Sequence, residues 1–384
     1  MILRDDAGEA VLHDLIAARI RTIGPIPFSE FMRLALYHPQ RGYYVRHDPT
    51  LDYQSSPNVH PVFGAMIARQ LAAFWRALDR PERFDVFEAG AGSGRLAADV
   101  LQALRATEPQ AYAATRYVVQ DATYSTAGGS NPVRGEPVEP RDPGDDAASF
   151  DKLRTNGTET AADLPSEPSI EGVILSNELL DALPFDRVRV RDGRLHELRV
   201  GIDDGRFVDV EAEPRPELIE HFEALGLLPG EGCEAEVILE ASTWTQRAAR
   251  ALRRGYLLTL DYGYEAPDLY APWRKRGTLL TFYRHTSGDD PYARVGNQDI
   301  TASVDFTAVR RAGEAAGLRT LRFDTQTEYL ASLGIGEVLA QRPAANQLEA
   351  YYALRRSVLE LTDPTGLGRI RVLIQGRDVP DSPR

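Results

Sequence analysis

The amino-acid sequence predicts an α/β fold built around a mostly parallel β-sheet, on three observations. An apolar strand, a glycine-rich turn and an amphipathic helix follow one another in RFDVFEAGAGSGRLAADVLQALRA, residues 83–106. A second apolar strand, 116–122, comes after a helix-length interval, as a right-handed crossover requires. Further strand patterns recur at 172–177, 255–264 and 369–376. The length of 384 residues allows two domains or one enlarged domain.

The first part of the chain has helical rather than strand periodicity. Apolar residues recur at helical spacing in 9–20 and again in 63–78, and Ser29 is predicted as the N-cap of a short helix between them. We therefore expect residues 1–80 to form a helical N-terminal extension that covers the active site, and residues 81–384 to form the core.

Two segments are predicted to be insertions into that core. Residues 123–169 lose all periodicity and are rich in proline, glycine and acidic residues, which predicts a mobile surface insertion of low complexity. Residues 185–230 form a β-hairpin and helical insertion, because Asp-Gly pairs at 192–193 and 204–205 are typical hairpin turns. We expect these hairpins to form an antiparallel meander appended to the main sheet.

Composition excludes several classes of protein. The formal net charge of -13 at pH 7 argues against nucleic acid as a partner, since phosphate binding needs a concentrated basic surface. The single cysteine, Cys233, cannot form an internal disulfide. The acidic residues within 1–21 do not suit a secretory signal, and no apolar run approaches the roughly 20 residues of a membrane span. The sequence therefore predicts a soluble, cytoplasmic protein.

The glycine-rich turn is the first candidate ligand site. Gly90, Gly92 and Gly94 let the backbone approach a ligand closely, at the amino terminus of the helix that follows. The third glycine of the dinucleotide fingerprint is replaced by Arg95, and the lysine of the phosphate-binding P-loop is absent. A GxGxG turn preceded by an acid, here Glu88, is instead typical of the S-adenosylmethionine (SAM) site of methyltransferases. A purely structural glycine turn is the alternative.

Polar residues at the end of the second strand are candidates for the ribose of such a cofactor. Asp121 would accept hydrogen bonds from ribose hydroxyls, and Gln120 could serve with its neutral amide. The sequence does not decide which of the two side chains faces the cleft. A solvated aspartate at the strand end is the structural alternative.

Acidic residues also follow the predicted fourth strand. Asn177, Glu178 and Asp181 come where that strand reaches its carboxyl end, the edge at which open α/β sheets bind ligands. Glu178 and Asp181 are three residues apart, so one helical turn would put both carboxylates on one face. Two carboxylates can clamp an arginine guanidinium. The alternative is that the two acidic residues lie at the amino terminus of a helix and complement its macrodipole.

Other polar and aromatic residues are weaker candidates. Asp261 and Tyr262 close another strand at the same edge, while Tyr43 and Tyr44 could line or cap the pocket. His285 is the histidine best suited to a polar pocket, although a structural role is the more common one. None of the seven histidines lies in an HExxH motif or a close pair, so no metal site is predicted.

Six segments are spread over nearly the whole chain in this order: GPIPFSEFMRLALYHPQRGYY, DYQSSPNVHPVFG, FEAGAGSGRLAADVL, LSNELLDALPFDRV, LTLDYGY and GNQDITASVDF. In sequence and order they resemble the MidA-like family, which includes the mitochondrial complex I assembly factor with protein arginine methyltransferase activity. The resemblance implies a class I SAM-methyltransferase (Rossmann-like) fold with a seven-stranded sheet, SAM as cofactor, and symmetric dimethylation of a protein arginine in the mitochondrial relatives.

The resemblance also assigns residues. Two positions depart from the family: Gln120 stands at the usual glutamate of the second strand, and Ser303 stands where the family often has histidine. The matched positions are Glu88, Gly90, Gly92 and Gly94 in the cofactor loop, Asn177, Glu178, Asp181, Ala182, Leu183 and Pro184 after the fourth strand, and Gln298, Asp299, Ile300, Thr301, Val304, Asp305 and Phe306 in a later signature.

Together these observations predict a SAM-dependent protein arginine N-methyltransferase. Glu88, the three glycines, Gln120 or Asp121, and Asn177 would bind the cofactor, and Glu178 with Asp181 would position the arginine of a partner protein. A non-catalytic assembly factor that retains the fold is the main alternative, because fold does not establish activity. A third possibility is a methyltransferase that acts on a small molecule. The oligomeric state stays open, with a homodimer as one alternative.

Overall fold

The computed structural model describes residues 6–120, 158–340 and 345–380, which form two compact units. The units interleave along the chain, whereas the sequence-based division falls once, after residue 80; that division stays a prediction. The sheet unit comprises Ser55–Leu179, Gln246–Asp261 and Gly313–Arg384, and the N-terminal unit comprises Met1–Gln54, Leu180–Thr245 and Tyr262–Ala312.

The helices confirm both amphipathic segments predicted near the amino terminus, in α1 and α5. Among the described helices, none combines the length and the apolar character needed to cross a membrane. The α-helices are α1 Asp6–Ile23, α2 Phe28–Tyr37, α3 Tyr43–Arg46, α4 Ser56–Val59, α5 Val62–Ala77, α6 Arg95–Thr107, α7 Pro109–Ala114, α8 Pro216–Leu225, α9 Leu239–Ala251, α10 Ala266–Leu269, α11 Phe306–Ala315, α12 Gln326–Ser332 and α13 Leu348–Leu361.

The prediction that Ser29 caps the second helix is wrong. Pro27 is the N-cap of α2, and Ser29 lies within the first turn. The hydroxyl of Ser29 donates to a carboxylate oxygen of Asp186 at 2.6 Å, and its amide donates to the same oxygen. The Ser29 hydroxyl, which a local N-cap would use, is bonded instead to a residue 157 positions away in sequence.

The strands of the described residues lie in four sheets, of which the largest belongs to the sheet unit. They are β1 Phe84–Ala89, β2 Thr115–Gln120, β3 Glu159–Thr160, β4 Ile170–Asn177, β5 Asp186–Arg191, β6 Arg194–Asp203, β7 Arg206–Ala212, β8 Glu234–Val237, β9 Leu252–Asp261, β10 Gly263–Tyr264, β11 Leu280–Tyr283, β12 Thr286–Gly288, β13 Asp299–Thr301, β14 Val304–Asp305, β15 Arg319–Thr325 and β16 Arg371–Arg377.

The main sheet confirms the predicted seven-stranded, mostly parallel architecture. Its strand order is β15-β16-β9-β4-β1-β2-β3, and only β16 runs antiparallel to its two neighbours. Ala89 of β1 pairs with Gln120 of β2 and with Ser176 of β4, and Asn177 pairs with Leu260 of β9. The carboxyl ends of these four strands therefore share one edge of the sheet.

The edge strand β3 corrects the prediction for residues 123–169. Glu159 and Thr160 pair in parallel with Val118 and Val119 of β2, so this part of the predicted insertion extends the sheet. Two residues are too few to show a periodicity in sequence. Residues 121–157, which hold most of the predicted insertion, lie outside the described residues.

The N-terminal unit contains the predicted hairpins, but not as part of the main sheet. Both residues of the Asp192-Gly193 turn have positive φ, +52° and +68°, and the Asp204-Gly205 turn is alike, which confirms β5, β6 and β7 as a meander. These strands form a separate four-stranded sheet, because β8 pairs with β5. The Asp-Gly pairs specify local turns, but they do not specify which strand pairs with the edge of the meander.

Two facing glycines let β1, β4 and β9 pair closely. Gly172 of β4 has φ +148°, and a Cβ built on it would lie 2.0 Å from the carbonyl oxygen of Asp85. Gly255 of β9 has φ +137°, and its Cβ would lie 2.0 Å from the carbonyl oxygen of Gly172. A side chain at either position would force neighbouring strands apart.

We therefore expect Gly172→Ala to lower the free energy of unfolding by about 3 kcal/mol, because it introduces both a backbone clash and an unfavourable φ. Gly336→Ala is the matched control, since no described atom lies within 4 Å of its Cβ position. We expect that control to change stability by less than about 0.5 kcal/mol in urea unfolding. Equal stability of the two variants would contradict the close strand approach.

Candidate functional site

The glycine-rich turn after β1 has the geometry that its sequence predicts. Gly90, Gly92 and Gly94 have φ of +70°, +52° and +74°, which favour glycine strongly over other residues. The amides of Gly90 and Ala91 donate to the carbonyl oxygen of Gln120 at 2.8 and 3.1 Å. Gly94 is the N-cap of α6. The turn is thus tied to β2 and leads directly into the amino terminus of a helix.

The first two glycines of the turn have different surroundings. A Cβ on Gly90 would lie 2.8 Å from a methyl carbon of Leu179, so this side of the turn is closely packed. At Gly92 no described atom lies within 4 Å of the Cβ position. The turn therefore has one packed side and one side where a ligand could approach the backbone.

Glu88 lies two residues before the turn and is buried, with 3% of its surface exposed. One of its carboxylate oxygens accepts the hydroxyl proton of Tyr117 at 2.7 Å. Burial and the neighbouring carboxylate hold the pKa of Tyr117 well above its usual range, so the hydroxyl remains a donor. The Glu88 carboxylate is therefore held in a fixed orientation at the carboxyl end of β1.

The residues predicted to meet a ribose are only partly described. Gln120 ends β2 and is half-buried at the same edge of the sheet as Ala89. Asp121 lies outside the described residues. The ribose contact is therefore still predicted for either Gln120 or Asp121.

The chain turns sharply where β4 ends. Glu178 has φ +51°, and its amide donates to the carbonyl oxygen of Leu260 at 2.8 Å. The amide of Leu179 donates to a carboxylate oxygen of Asp261 at 3.1 Å, and Asp261 is fully buried. These two bonds to β9 hold Glu178 at the carboxyl edge of the sheet.

The Glu178 carboxylate is held by neutral donors. Its Oε1 accepts the backbone amide of Ser56 and the side-chain amide of Asn177, both at 3.0 Å. Burial raises the pKa of Glu178 to about 7, because removal of water disfavours the charged form more than these two bonds favour it. This carboxyl group changes its charge near neutral pH.

Asn177 has one polar atom without a partner. Its amide nitrogen donates to Glu178, but its Oδ1 is buried and accepts no hydrogen bond among the described residues. A buried acceptor without a donor costs about 1 to 3 kcal/mol. The position of Oδ1 at the carboxyl edge suggests that a bound molecule supplies the missing donor.

The prediction that one helical turn aligns Glu178 with Asp181 is wrong. Residues 178–185 are irregular, because the positive φ of Glu178 is incompatible with a helix. The two residues belong to different units, Glu178 to the sheet unit and Asp181 to the N-terminal unit. Within its own unit, the carboxylate of Asp181 accepts the hydroxyl of Thr301 at 3.1 Å.

The aromatic candidates of the N-terminal unit bind carboxylates. Tyr44 donates to Asp299 at 2.8 Å, and Tyr43 donates to Asp52 at 2.7 Å. Burial raises the pKa of Asp299 to about 7. A lining role for the two tyrosines stays a prediction. His285 is exposed in the turn between β11 and β12, which does not fit the polar pocket considered for it.

Sequence reasoning missed Ser56, Gln326 and Tyr117. Ser56 lies in DYQSSPNVHPVFG, a segment matched to a family without a role for this residue. Tyr117 looks like an ordinary apolar strand residue, and Gln326 has no neighbouring motif. In the described part of the chain, no group of three histidine, cysteine or acidic residues is placed to hold a metal ion.

The chain matches the model of a known protein family. A family model described as "Putative S-adenosyl-L-methionine-dependent methyltransferase" matches residues 66–324, more than half of the chain. The chain belongs to this family. The resemblance and the α/β fold predicted from the sequence are confirmed, and the family's cofactor is the predicted one.

Curated relatives cover most of the chain. The Drosophila melanogaster protein named "Protein arginine methyltransferase NDUFAF7 homolog, mitochondrial" is 27% identical over 385 residues, covering 94% of this chain and 84% of its own. The Homo sapiens "Protein arginine methyltransferase NDUFAF7, mitochondrial" is 27% identical over 350 residues, covering 83% of this chain and 72% of its own.

Solved structures share the fold along its whole length. A Burkholderia thailandensis protein bound to S-adenosyl-homocysteine superposes with a TM-score of 0.81 at 29% identity, covering 99% of this chain and 95% of its own. A native crystal structure from the same organism has a TM-score of 0.83 at 28% identity, with the same coverage.

The prediction of a cytoplasmic location is wrong by this comparison, because the curated relatives are named as mitochondrial proteins. The prediction rested on composition and on the absence of secretory and membrane signals. Those features describe an ordinary globular protein, and they are the same in any aqueous compartment, so they cannot identify one.

The described residues fit SAM at the carboxyl edge. The unpartnered Asn177 Oδ1 and the buried carboxylate of Glu88 are acceptors, and SAM carries an ammonium group and ribose hydroxyls as donors. Among the described residues, none comes within 4 Å of the Cβ position of Gly92, where a ligand would meet the backbone of the turn. Glu88, Asn177 and the glycine turn are therefore the residues that would hold the cofactor.

We expect Glu88→Gln to weaken SAM binding by about 10- to 100-fold, because a charge-assisted hydrogen bond is worth about 1.5 to 3 kcal/mol. Isothermal titration with SAM measures the affinity. Asp85→Asn is the matched control, a carboxylate near the amino end of the same strand that pairs with Arg83 and Arg116. Wild-type affinity in folded Glu88→Gln protein would remove Glu88 from the cofactor site.

Proposed function

We propose that this chain is a SAM-dependent methyltransferase that methylates arginine side chains of a partner protein. The observation that carries the proposal is the Glu178 carboxyl group, held at the carboxyl edge beside the residues that fit the cofactor and ionising near neutral pH. Relatives named as protein arginine methyltransferases that cover most of the chain support the same substrate class.

An arginine substrate needs a carboxylate of this kind. The guanidinium stays protonated below about pH 12, so one of its nitrogens must be oriented and must lose a proton as its bond to the methyl carbon forms. Bound SAM supplies an electrophilic methyl group. Both bonds that Glu178 accepts go to Oε1, which leaves Oε2 to accept an N–H of the guanidinium and to favour departure of the proton.

The partner protein is proposed to present a basic segment. A net charge of -13 at pH 7 on the enzyme suits a substrate whose arginine lies among other basic residues. Asp181 stays a predicted second contact to the guanidinium, and a homodimer stays a predicted oligomeric state. The same net charge argues against nucleic acid as a partner.

We expect Glu178→Gln to lower methyl transfer by about 100-fold or more, because the amide cannot take up the proton. The measurement is transfer of tritium from methyl-labelled SAM to proteins of an extract from cells that lack this chain, with mass spectrometry to identify the modified residue. SAM affinity measured in parallel should stay within about threefold of the wild type.

Glu171→Gln is the matched control for this variant, because Glu171 lies in β4, near the opposite end from Glu178, and pairs with Arg253 on the surface. It should keep wild-type transfer. Undiminished transfer by Glu178→Gln would refute the role of Glu178. A wild-type chain that binds SAM but modifies no protein would instead favour a non-catalytic assembly factor.

We also expect methyl transfer to rise with pH, with a midpoint near the Glu178 pKa of about 7. Below that pH the carboxyl group is protonated and cannot accept the guanidinium N–H, and above it the carboxylate is fully formed. Rates measured from pH 5.5 to 9 at saturating SAM test this. A profile that is flat across this range would show that no group with such a pKa is used.

A further inference from the structure

We infer that Ser56 and Gln326 are positioning residues that hold the Glu178 carboxylate where the proposed reaction needs it. The inference rests on the proposed function for what Glu178 does, but the arrangement itself is a property of the sheet unit. Neither residue was a candidate from the sequence, and neither is a proposed contact of cofactor or substrate.

Ser56 uses two separate groups in this arrangement. Its backbone amide donates to Glu178 Oε1 at 3.0 Å, and its hydroxyl donates to Gln326 Oε1 at 3.1 Å. Ser56 and Gln326 are both fully buried. Because a buried hydroxyl without a partner is costly, the side-chain bond fixes the position of the residue whose amide meets Glu178.

Gln326 is itself anchored at both ends. Its backbone amide donates to the carbonyl oxygen of Ile370 at 2.7 Å, and its side-chain amide donates to the carbonyl oxygen of Leu361 at 3.0 Å. The carbonyl of Leu361 can only accept, so the side-chain nitrogen must face it and Oε1 must face Ser56. Ser56 is therefore the donor in both bonds, through its hydroxyl to Gln326 and through its backbone amide to Glu178.

Among the described residues, Ser56 supplies one of the two amide donors to the Glu178 carboxylate. Asn177, the last residue of β4, donates to Glu178 through its side-chain amide, and Asp261 of β9 accepts the Leu179 amide. Burial raises the pKa of Glu178, and the hydrogen bonds from the Ser56 and Asn177 amides lower it. No charged side chain of the described residues contributes to the shift. Displacing the Ser56 amide would therefore remove one of two bonds that stabilise the carboxylate.

The test measures the ionisation of Glu178 directly. Protein labelled with 13C at the glutamate carboxyl carbons is titrated by NMR, and the Glu178 signal is identified by its absence in Glu178→Gln. Variants Ser56→Ala and Gln326→Met each break the side-chain bond and keep the Ser56 amide in the chain. We expect both to move the Glu178 titration to higher pH by about 1, which lowers its ionised fraction at pH 7 about fivefold.

Thr327→Val is the matched control, because Thr327 follows Gln326 in α12 and bonds the carbonyls of Thr362 and Gly368 without reaching Ser56. It should leave the titration unchanged. The double variant Ser56→Ala/Gln326→Met should shift it no further than either single variant, since both break one bond. Thermal unfolding of each variant verifies that it is folded.

Two results would overturn the inference: an unshifted Glu178 titration in folded Ser56→Ala, or an equal shift in Thr327→Val, which would indicate general loosening. Failure of the proposed function is a separate result. If the wild type transfers no methyl group to arginine while Ser56→Ala and Gln326→Met still shift Glu178, the positioning residues stand and the substrate assignment falls.

Discussion

The candidate site depends on the bend of the chain directly after β4. Glu178 adopts a left-handed backbone that costs a residue with a side chain about 1 to 2 kcal/mol. Two hydrogen bonds to β9 offset this cost, from the amides of Glu178 and Leu179 to Leu260 and Asp261. A helix starting at this point would direct the Glu178 side chain elsewhere. The bend instead keeps its carboxylate at the sheet edge, bonded to the side-chain amide of Asn177.

Three carboxylates at this edge have different surroundings, which indicate different roles. Asp261 is fully buried and accepts a backbone amide, which makes it part of the turn itself. Glu88 is buried and oriented by the hydroxyl of Tyr117. Glu178 is held by two neutral amides on one oxygen and ionises near neutral pH. A carboxyl group with this pKa suits the proton-accepting role proposed for Glu178.

Local patterns in the sequence predicted the parts of the fold that local chemistry determines. The strand, glycine turn and helix around Gly92 and the Asp-Gly hairpins each specify their own backbone, and both were predicted correctly. The two-residue strand β3, the N-cap of α2 and the turn at Glu178 depend on partners distant in sequence. The Ser56–Gln326 bond joins residues 270 positions apart, and no motif marks either end as a partner of the other. Glu178 could therefore be named as a candidate from its residue type and its place after a strand, whereas its supporting contacts could not be predicted.

We propose that SAM lies along the carboxyl edge of the main sheet, between the glycine turn and Glu178. A crystal structure of this chain with S-adenosyl-homocysteine would locate the ligand. We expect ligand density against Gly92, with a ligand donor to Asn177 Oδ1 and with Glu178 as the acid nearest the sulfur. Density at another place, or side chains closing over Gly92 with Asn177 Oδ1 still unpartnered, would contradict it.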